Sequence, residues 1–218
     1  MNTHLKTLFI LFPLIIVLSF SGIIVSVVKN ARMAGAPSTT DTAPITIETA
    51  REVTGYIKDK DFVSLSNFID GNVGVLLSPY YASGGNQGRN LTKDDVRNFF
   101  SDNQQKLWGY EGGSGRGIQL TNSEYYKKFV YSGDFINMGS ESLNISLVSG
   151  NTLPLDEVLS EAFKSLISRG GRIQYIEYFI PGFNPKYEGM DWESLALVFM
   201  KLNGEWKLIG IFHNQWTI

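Results

Sequence analysis

The sequence predicts an α+β domain behind one hydrophobic N-terminal segment, and three observations support this fold class. Apolar residues between Ile47 and Ile57 recur at spacings of three and four, as on one face of a helix. Residues 172–218 contain three runs rich in β-branched and aromatic residues, and Asn203-Gly204 between the last two is typical of a two-residue hairpin turn. Residues 8–28 carry no charged side chain. We therefore expect helices first and an antiparallel meander last, with the helices packed on one face of a curved sheet.

The composition excludes several kinds of site. A chain of 218 residues has room for one domain and an appendage. Cysteine is absent and His4 and His213 are the two histidines, which rules out disulfides, a cysteine nucleophile and a multi-histidine metal site. Three of the 19 basic residues precede Asp41, so the rest of the chain, with its 21 acidic residues, is acidic on balance. We expect no metal, no cofactor and no nucleic-acid partner.

The N-terminal segment is predicted to anchor the chain in a membrane. Residues 1–7 form a short tail, residues 8–28 a transmembrane helix acting as a signal anchor, residues 29–44 a flexible linker and residues 45–218 the α+β domain. At about 1.5 Å per residue, the uncharged helix is just long enough to cross about 30 Å of hydrocarbon. The linker consists mainly of small residues with two prolines, which cannot bury apolar area.

A cleaved signal peptide is the alternative interpretation of this segment. Ala34-Gly35-Ala36 has the small-x-small pattern that a signal peptidase accepts, but Pro37 would follow the cut directly, which disfavours cleavage. Lys6 on one side faces Lys29 and Arg32 on the other, so the count of positive charges does not decide the orientation. Because short N-terminal anchors commonly export the domain behind them, we expect a single-pass protein of the cytoplasmic membrane with an extracytoplasmic domain.

The elements of the domain follow from local signals. Thr46, Thr92 and Thr121 are each placed to cap a helix, and Thr121 begins a capping box with Glu124. Residues 134–168 fit no single pattern. The remaining predicted elements are a short helix over residues 62–69, a strand over 73–78, glycine-rich loops at 83–88 and 108–117, a strand over 142–149, a helix over 155–168, and strands over 172–181, 192–202 and 205–218.

This layout resembles the NTF2-like superfamily of cone-shaped α+β domains. The segments that carry the resemblance are Lys58-Asp59-Lys60-Asp61 leading into residues 62–69, and the closing run of residues 195–208. The resemblance spans residues 45–218 and implies N-terminal helices packed on a curved antiparallel sheet, with a conical cavity between them. That cavity serves catalysis in some members and binding or scaffolding in others, so the fold alone does not choose a function.

A narrower resemblance is carried by Ser78-Pro79-Tyr80, Trp108-Gly109-Tyr110, residues 124–131 and residues 192–216. These segments look like those of uncharacterised bacterial envelope proteins and lipoproteins with this fold, from which no activity can be transferred. Because this chain has no cysteine to carry a lipid, the membrane helix would replace the lipid as the anchor.

His213 is the candidate general base. On the last predicted strand it can point into the cone. Simple strand alternation, however, puts it on the face of Ile209 and Ile211, where an ordinary hydrogen-bonded core or rim histidine is more frequent. The candidate carboxylate partners are Asp191, Glu177 and Glu193. The plainer alternative is a hydrogen-bonded core histidine with solvated carboxylates at strand ends.

Aromatic side chains near the glycine-rich loops are candidates for stacking on a ligand such as a sugar or a peptide aromatic. The candidate ligand-binding residues are Tyr80, Trp108, Tyr110, Trp192 and His213. The alternative is that they are hydrophobic plugs beneath long loops. Neither loop has the spacing of a phosphate-binding P-loop, and no Gly-x-Ser-x-Gly element precedes a helix.

These observations favour a non-catalytic binding or assembly module in the bacterial envelope. Its partners would be the membrane through residues 8–28, a small-molecule or peptide ligand in the cavity, and a second copy of the chain or another envelope protein. The alternative is a small-molecule isomerase or dehydratase that uses His213 with a carboxylate in the cone.

Overall fold

The computed structural model describes residues 43–81, 88–148 and 153–216. The predicted tail, anchor and linker up to residue 42 lie outside the described residues, as do residues 83–87 of the first glycine-rich loop. Within the described ranges, no helix combines the length and the apolar character needed to cross a membrane. The anchor and the domain boundaries stay predictions.

The first helices form where the sequence places them. Helix α1 covers Ile47–Lys58, and the Thr46 hydroxyl at its start accepts a hydrogen bond from the Thr49 amide at 3.2 Å. Helix α2 covers Phe62–Leu65 and continues as a 3-10 turn over Ser66–Phe68. Both predictions are confirmed, because a side-chain cap and one apolar face specify a short helix that packs on a core.

The later helices are short, and two of them have the predicted caps. Thr92 and Thr121 form reciprocal capping boxes with Asp95 and Glu124. These helices are α3 (Lys93–Arg97, then a 3-10 turn over Phe99–Ser101), α4 (Asn122–Tyr125, continuing as a π-helical turn over Tyr126–Val130), α5 (Phe135–Met138), α6 (Leu155–Ala162) and α7 (Lys164–Ile167). The helix predicted over residues 155–168 is therefore present as two helices that meet at Phe163.

The described residues contain eight strands: β1 (Val75–Ser78), β2 (Arg89–Leu91), β3 (Lys106–Tyr110), β4 (Gly117–Leu120), β5 (Ser140–Leu143), β6 (Ile173–Ile180), β7 (Glu193–Leu202) and β8 (Glu205–Gln215). Six of them form one curved sheet in the order β2-β1-β8-β7-β6-β5. Its pairs are antiparallel apart from β1 with β8, which run parallel. The predicted terminal meander is β6-β7-β8, and its last turn has Asn203 and Gly204 at φ 52° and 85°, as a type I′ hairpin requires.

The second glycine-rich stretch is not a loop throughout. Strands β3 and β4 pair as a separate hairpin, with Trp108 in the middle of β3 and Tyr110 at its end. The prediction of a loop over residues 108–117 is wrong at both ends, because Trp108 and Ile118 can bury their side chains only if the flanking backbone is extended. Glycines such as Gly113, at φ 78°, belong to the turn between the strands.

Both faces of the sheet are covered by helices. We call the face under α1–α4 the front face and the face under α6 and α7 the back face. The front core includes Val53, Phe99, Trp108 and Phe129, and the back core includes Leu159. The expectation that the helices share one face is therefore wrong, since the amphipathic stretch over residues 155–162 has a second apolar surface to cover. Both cores lie within residues 44–218, which form one compact unit with its own hydrophobic cores, as independently folding domains have.

A β-bulge in β8 decides which side chains reach which face. Phe199 pairs with Leu208 while Val198 pairs with Gly210, so Ile209 is an extra residue on β8. Ile209 consequently packs in the back core, and His213 lies on the front face. The sequence prediction that Ile209 shares the face of His213 is wrong, because simple alternation does not allow for the inserted residue.

Candidate functional site

His213 lies on the front face near the end of β8, where it contacts three separate segments. Its side chain is fully buried. Nδ1 lies 3.1 Å from the carbonyl oxygen of Pro79, and Nε2 lies 3.4 Å from Ser132 Oγ and 3.8 Å from Glu193 Oε2. The Phe129 ring packs edge-on against the imidazole with centroids 5.5 Å apart. The histidine therefore joins the end of β1, the turn after α4 and the start of β7.

Hydrogen bonding fixes the roles of the atoms in this cluster. The Pro79 carbonyl can only accept, so the His213 Nδ1–H donates to it and Nε2 faces the other two groups. The Ser132 hydroxyl donates to Glu193 Oε2 at 2.5 Å. Burial alone would raise the pKa of the Glu193 carboxyl, but its interactions with His213 and Ser132 outweigh burial and lower the pKa below its usual value.

The arrangement differs from that of a Ser-His-Asp triad. In a triad the carboxylate binds the far side of the imidazole and leaves the serine free to be deprotonated. Here the Glu193 carboxylate binds the serine itself, and a backbone carbonyl occupies the far side of His213. The cluster is therefore suited to holding three segments of the chain together, and it lacks the arrangement by which a triad activates its serine.

Glu177 lies on the back face in a second polar cluster. Its side chain is fully buried, so the expectation of a solvated strand-end carboxylate is wrong for this residue. Tyr81 and Ser194 donate their hydroxyl protons to Oε1 at 2.6 and 3.1 Å, and the Leu147 amide donates to Oε2 at 2.5 Å. Burial and the neighbouring carboxylate raise the pKa of Tyr81 well above its usual value, so the phenol keeps its proton.

The structure does not bring together the pair that the enzyme hypothesis needs. Glu177 pairs with Ala196 on the back face, whereas His213 pairs with Leu195 on the front face. Asp191 lies in the loop between β6 and β7, where its Oδ2 accepts from the amides of Phe183 and Asn184 at 3.3 and 2.9 Å. Of the three candidate carboxylates, Glu193 is the one that contacts His213.

Aromatic side chains fill the space where the cone cavity was expected. Trp108 is fully buried, stacks on Tyr125 with ring centroids 3.9 Å apart, and donates its Nε1–H to the Leu120 carbonyl at 2.9 Å. Tyr125 in turn packs against Phe129. Trp108, predicted as a ligand-stacking residue, is thus enclosed by its own neighbours, and its role in binding stays a prediction.

The other predicted ligand-binding aromatics are more accessible but do not form one group. Tyr80 is half-buried against Phe129, and Tyr110 is partly exposed at the end of β3. Trp192 is half-buried beside Phe179, on the far side of the sheet from Tyr80. Nothing in their arrangement defines a shared pocket.

An open groove of about 590 Å³ lies instead on the back face, between the sheet and helices α6 and α7. Its floor and walls include Leu76, Val158, Ala162, Phe163, Ile209 and Phe212, and Arg169 and the amides Asn72 and Asn90 lie among its polar lining residues. The volume is that of a small-molecule site. Sequence reasoning missed this groove because it forms only when residues 155–167 pack on the back face, beside the bulge at Ile209.

Among the described residues, no group of three or more histidine, aspartate or glutamate side chains is placed to hold a metal ion. No family model matches the chain, and no curated protein matches it. Among solved structures it is similar to a putative calcium/calmodulin-dependent protein kinase II association domain from Xanthomonas campestris, with a TM-score of 0.32 and 8% identity, covering 84% of this chain and 92% of that chain. A likeness at this level carries no argument about function.

Proposed function

We propose that this chain is a membrane-anchored binding module with an NTF2-like fold, which holds its ligand in the back-face groove and catalyses no reaction. The uncharged segment over residues 8–28 supplies the anchor, and the domain stands outside the cytoplasmic membrane of a bacterial envelope. The order of helices followed by a closing antiparallel meander supports the fold.

One contrast carries this proposal. The front core, where an NTF2-like cavity would lie, is filled by buried aromatics such as Trp108 and Tyr125, while the back-face groove is open and mainly apolar. A filled core leaves no room for a substrate beside His213, whose side chain is fully buried. A groove of small-molecule size with few polar groups suits binding.

The test of binding compares the wild-type domain, residues 44–218, with two variants on one helix. Ala162 is exposed and lines the groove, so Ala162→Phe fills the groove without entering the core. Ser160 is exposed on the same helix and does not line the groove, so Ser160→Phe is the matched control. Native mass spectrometry of protein purified without added ligand should find a bound small molecule in wild type and in Ser160→Phe, and none in Ala162→Phe.

Absence of a bound molecule from all three proteins would contradict the binding proposal. The membrane part is tested separately on the full chain, by fusing alkaline phosphatase after residue 44. We expect phosphatase activity and membrane fractionation, because the reporter is active only outside the cytoplasm. An inactive reporter, or one recovered without membranes, would refute the anchor or its orientation.

A small-molecule isomerase or dehydratase is the second candidate, and one observation favours it. Glu193 provides His213 with a carboxylate at 3.8 Å, with a pKa held below its usual value by His213 and Ser132 against the effect of burial. Turnover of any substrate that disappears in both His213→Asn and Glu193→Gln, while both variants stay folded, would support this candidate over the binding module.

A further inference from the structure

The back-face groove combines an apolar interior with the positive charge of Arg169, which has no ion-pair partner among the described residues, and this combination specifies a class of ligand. We propose that the groove binds a single-chain amphiphile with an anionic head, such as a fatty acid, with the chain along β1 and β8 and the head on Arg169. This inference rests on the proposed binding function and names its ligand.

The interior of the groove suits an unbranched apolar chain. It extends along neighbouring strands; Leu76 and Ser78 of β1, about 7 Å apart at about 3.3 Å per residue, line it together with Val73 in the turn before the strand. Leu76 and Phe212 form the floor, and Val158 lines the facing wall. The apolar side chains of the floor and the facing wall favour an apolar chain over a compact polar ligand, because a polar group lying against them would lack hydrogen-bond partners.

Arg169 supplies the charge that selects an anion. Within the described part of the chain, its guanidinium forms no ion pair and no side-chain hydrogen bond. The acidic residue in the lining is Glu161, which pairs with Lys164 at 3.5 Å. The edge of the groove therefore carries a net positive charge, and a guanidinium suits the two oxygens of a carboxylate.

The charged end of the groove lies at the end of the sheet where the chain enters the domain. The Ile45 amide donates to Gln174 Oε1 at 2.7 Å, at the start of β6. Gly171, two residues after Arg169, lies close to the Met200 side chain. Met200 pairs with Ile173, the first residue of β6, so it lies at the same end of the sheet as Gln174. Arg169 and the first described residues of the domain therefore lie at the same end of the sheet.

Calorimetric titration of the wild-type domain with decanoate, and with 1-decanol as the neutral comparator, tests the proposal. Decanoate should bind wild type and Ser160→Phe equally. Ala162→Phe should raise the Kd for decanoate by about tenfold or more, because each methylene kept out of the groove changes the Kd roughly fourfold. Arg169→Gln should raise the Kd for decanoate by about three- to fivefold, which is the effect expected for the loss of an exposed ion pair. It should leave the Kd for 1-decanol unchanged.

Three results would overturn the proposal: no binding of decanoate to wild type, equal binding by Ala162→Phe and Ser160→Phe, or the same affinity for decanoate and 1-decanol. Its failure is distinguishable from failure of the binding function. If native mass spectrometry finds a different bound molecule that Ala162→Phe removes, the module binds in the groove but the amphiphile is the wrong ligand.

Discussion

Replacing either of two buried tyrosines, Tyr81 and Tyr125, with phenylalanine removes a hydroxyl group, but the two hydroxyls have different surroundings. The Tyr81 hydroxyl donates to the buried Glu177 carboxylate at 2.6 Å. The Tyr125 hydroxyl is fully buried and has no hydrogen-bond partner among the described residues. Tyr81→Phe and Tyr125→Phe each remove one oxygen atom from the protein interior, so the difference between them measures the hydrogen bonds that Tyr81 makes with Glu177 and Ser194.

Tyr81→Phe should lower the free energy of unfolding by about 2 kcal/mol, the usual worth of a hydrogen bond to a charged group. Ser194 and the Leu147 amide still bind the carboxylate, which keeps the loss from being larger. Tyr125→Phe should be neutral or raise the free energy of unfolding by about 1 kcal/mol, because it removes a polar atom that burial penalises.

Urea unfolding of both variants, followed by circular dichroism, measures these differences at constant m-value. In thermal unfolding, Tyr81→Phe should lower Tm by about 4–8 °C for a domain of this size. Equal stability of the two variants would refute the reasoning, because it would mean that Glu177 gains nothing from Tyr81. A double-mutant cycle with Glu177→Gln then assigns the coupling energy to this pair.

One carboxylate, two glycines and one helix cap yield further expectations. The pKa of Glu193 is lowered, so its ionised form contributes stability that is present above the unfolded-state pKa of about 4.3 and lost as the pH falls through the folded-state pKa. The urea midpoints of Glu193→Gln and wild type should therefore differ at pH 7 and converge as the pH falls below the folded-state pKa. Gly210→Ala should destabilise by about 1–3 kcal/mol in urea unfolding, since a Cβ there would lie 2.7 Å from the Phe212 ring. Gly55→Ala, where a Cβ meets nothing within 4 Å inside α1, should stabilise by about 0.5–1 kcal/mol in the same assay. Thr92→Ala should lower the free energy of unfolding by about 1 kcal/mol, as measured by thermal unfolding, because it removes a capping box.

Local signals were enough to predict the elements that depend on a few neighbouring residues. Thr46, Thr92 and Thr121 cap the helices that they were expected to cap. Asn203-Gly204 forms the expected turn, because its positive φ angles suit those two residue types better than others. In each case the information lies within one turn of chain, which is what a sequence pattern can report.

The partner of His213 depended on a feature that no local pattern reports. Counting outward from the turn at Asn203-Gly204 without a bulge would pair His213 with Ser194, on the same face as Glu177. The extra residue at Ile209 shifts the register by one, so His213 pairs with Leu195 and meets Glu193 instead. The bulge is set by packing on both faces of the sheet, which alternation along one strand cannot reveal.

The groove was unpredictable for a related reason. It requires residues 155–167 to lie on the back face, whereas the sequence pattern predicted that all helices share one face of the sheet. A sheet covered on both faces has strands that are apolar at almost every position, as residues 195–200 are, and such strands lose the alternation that would mark a solvent face.

The parallel pairing of β1 with β8 also sets the order in which this chain can fold. Leu76 near the start of the domain pairs with Gly210 near its end, so β1 has no neighbour on that side until the last strand has been made. Helices α1 to α4 pack on β6, β7 and β8, and they must wait with exposed apolar faces for the same strands. A growing chain therefore cannot complete its front core before β8 has been synthesised, and it has to close its longest loops last.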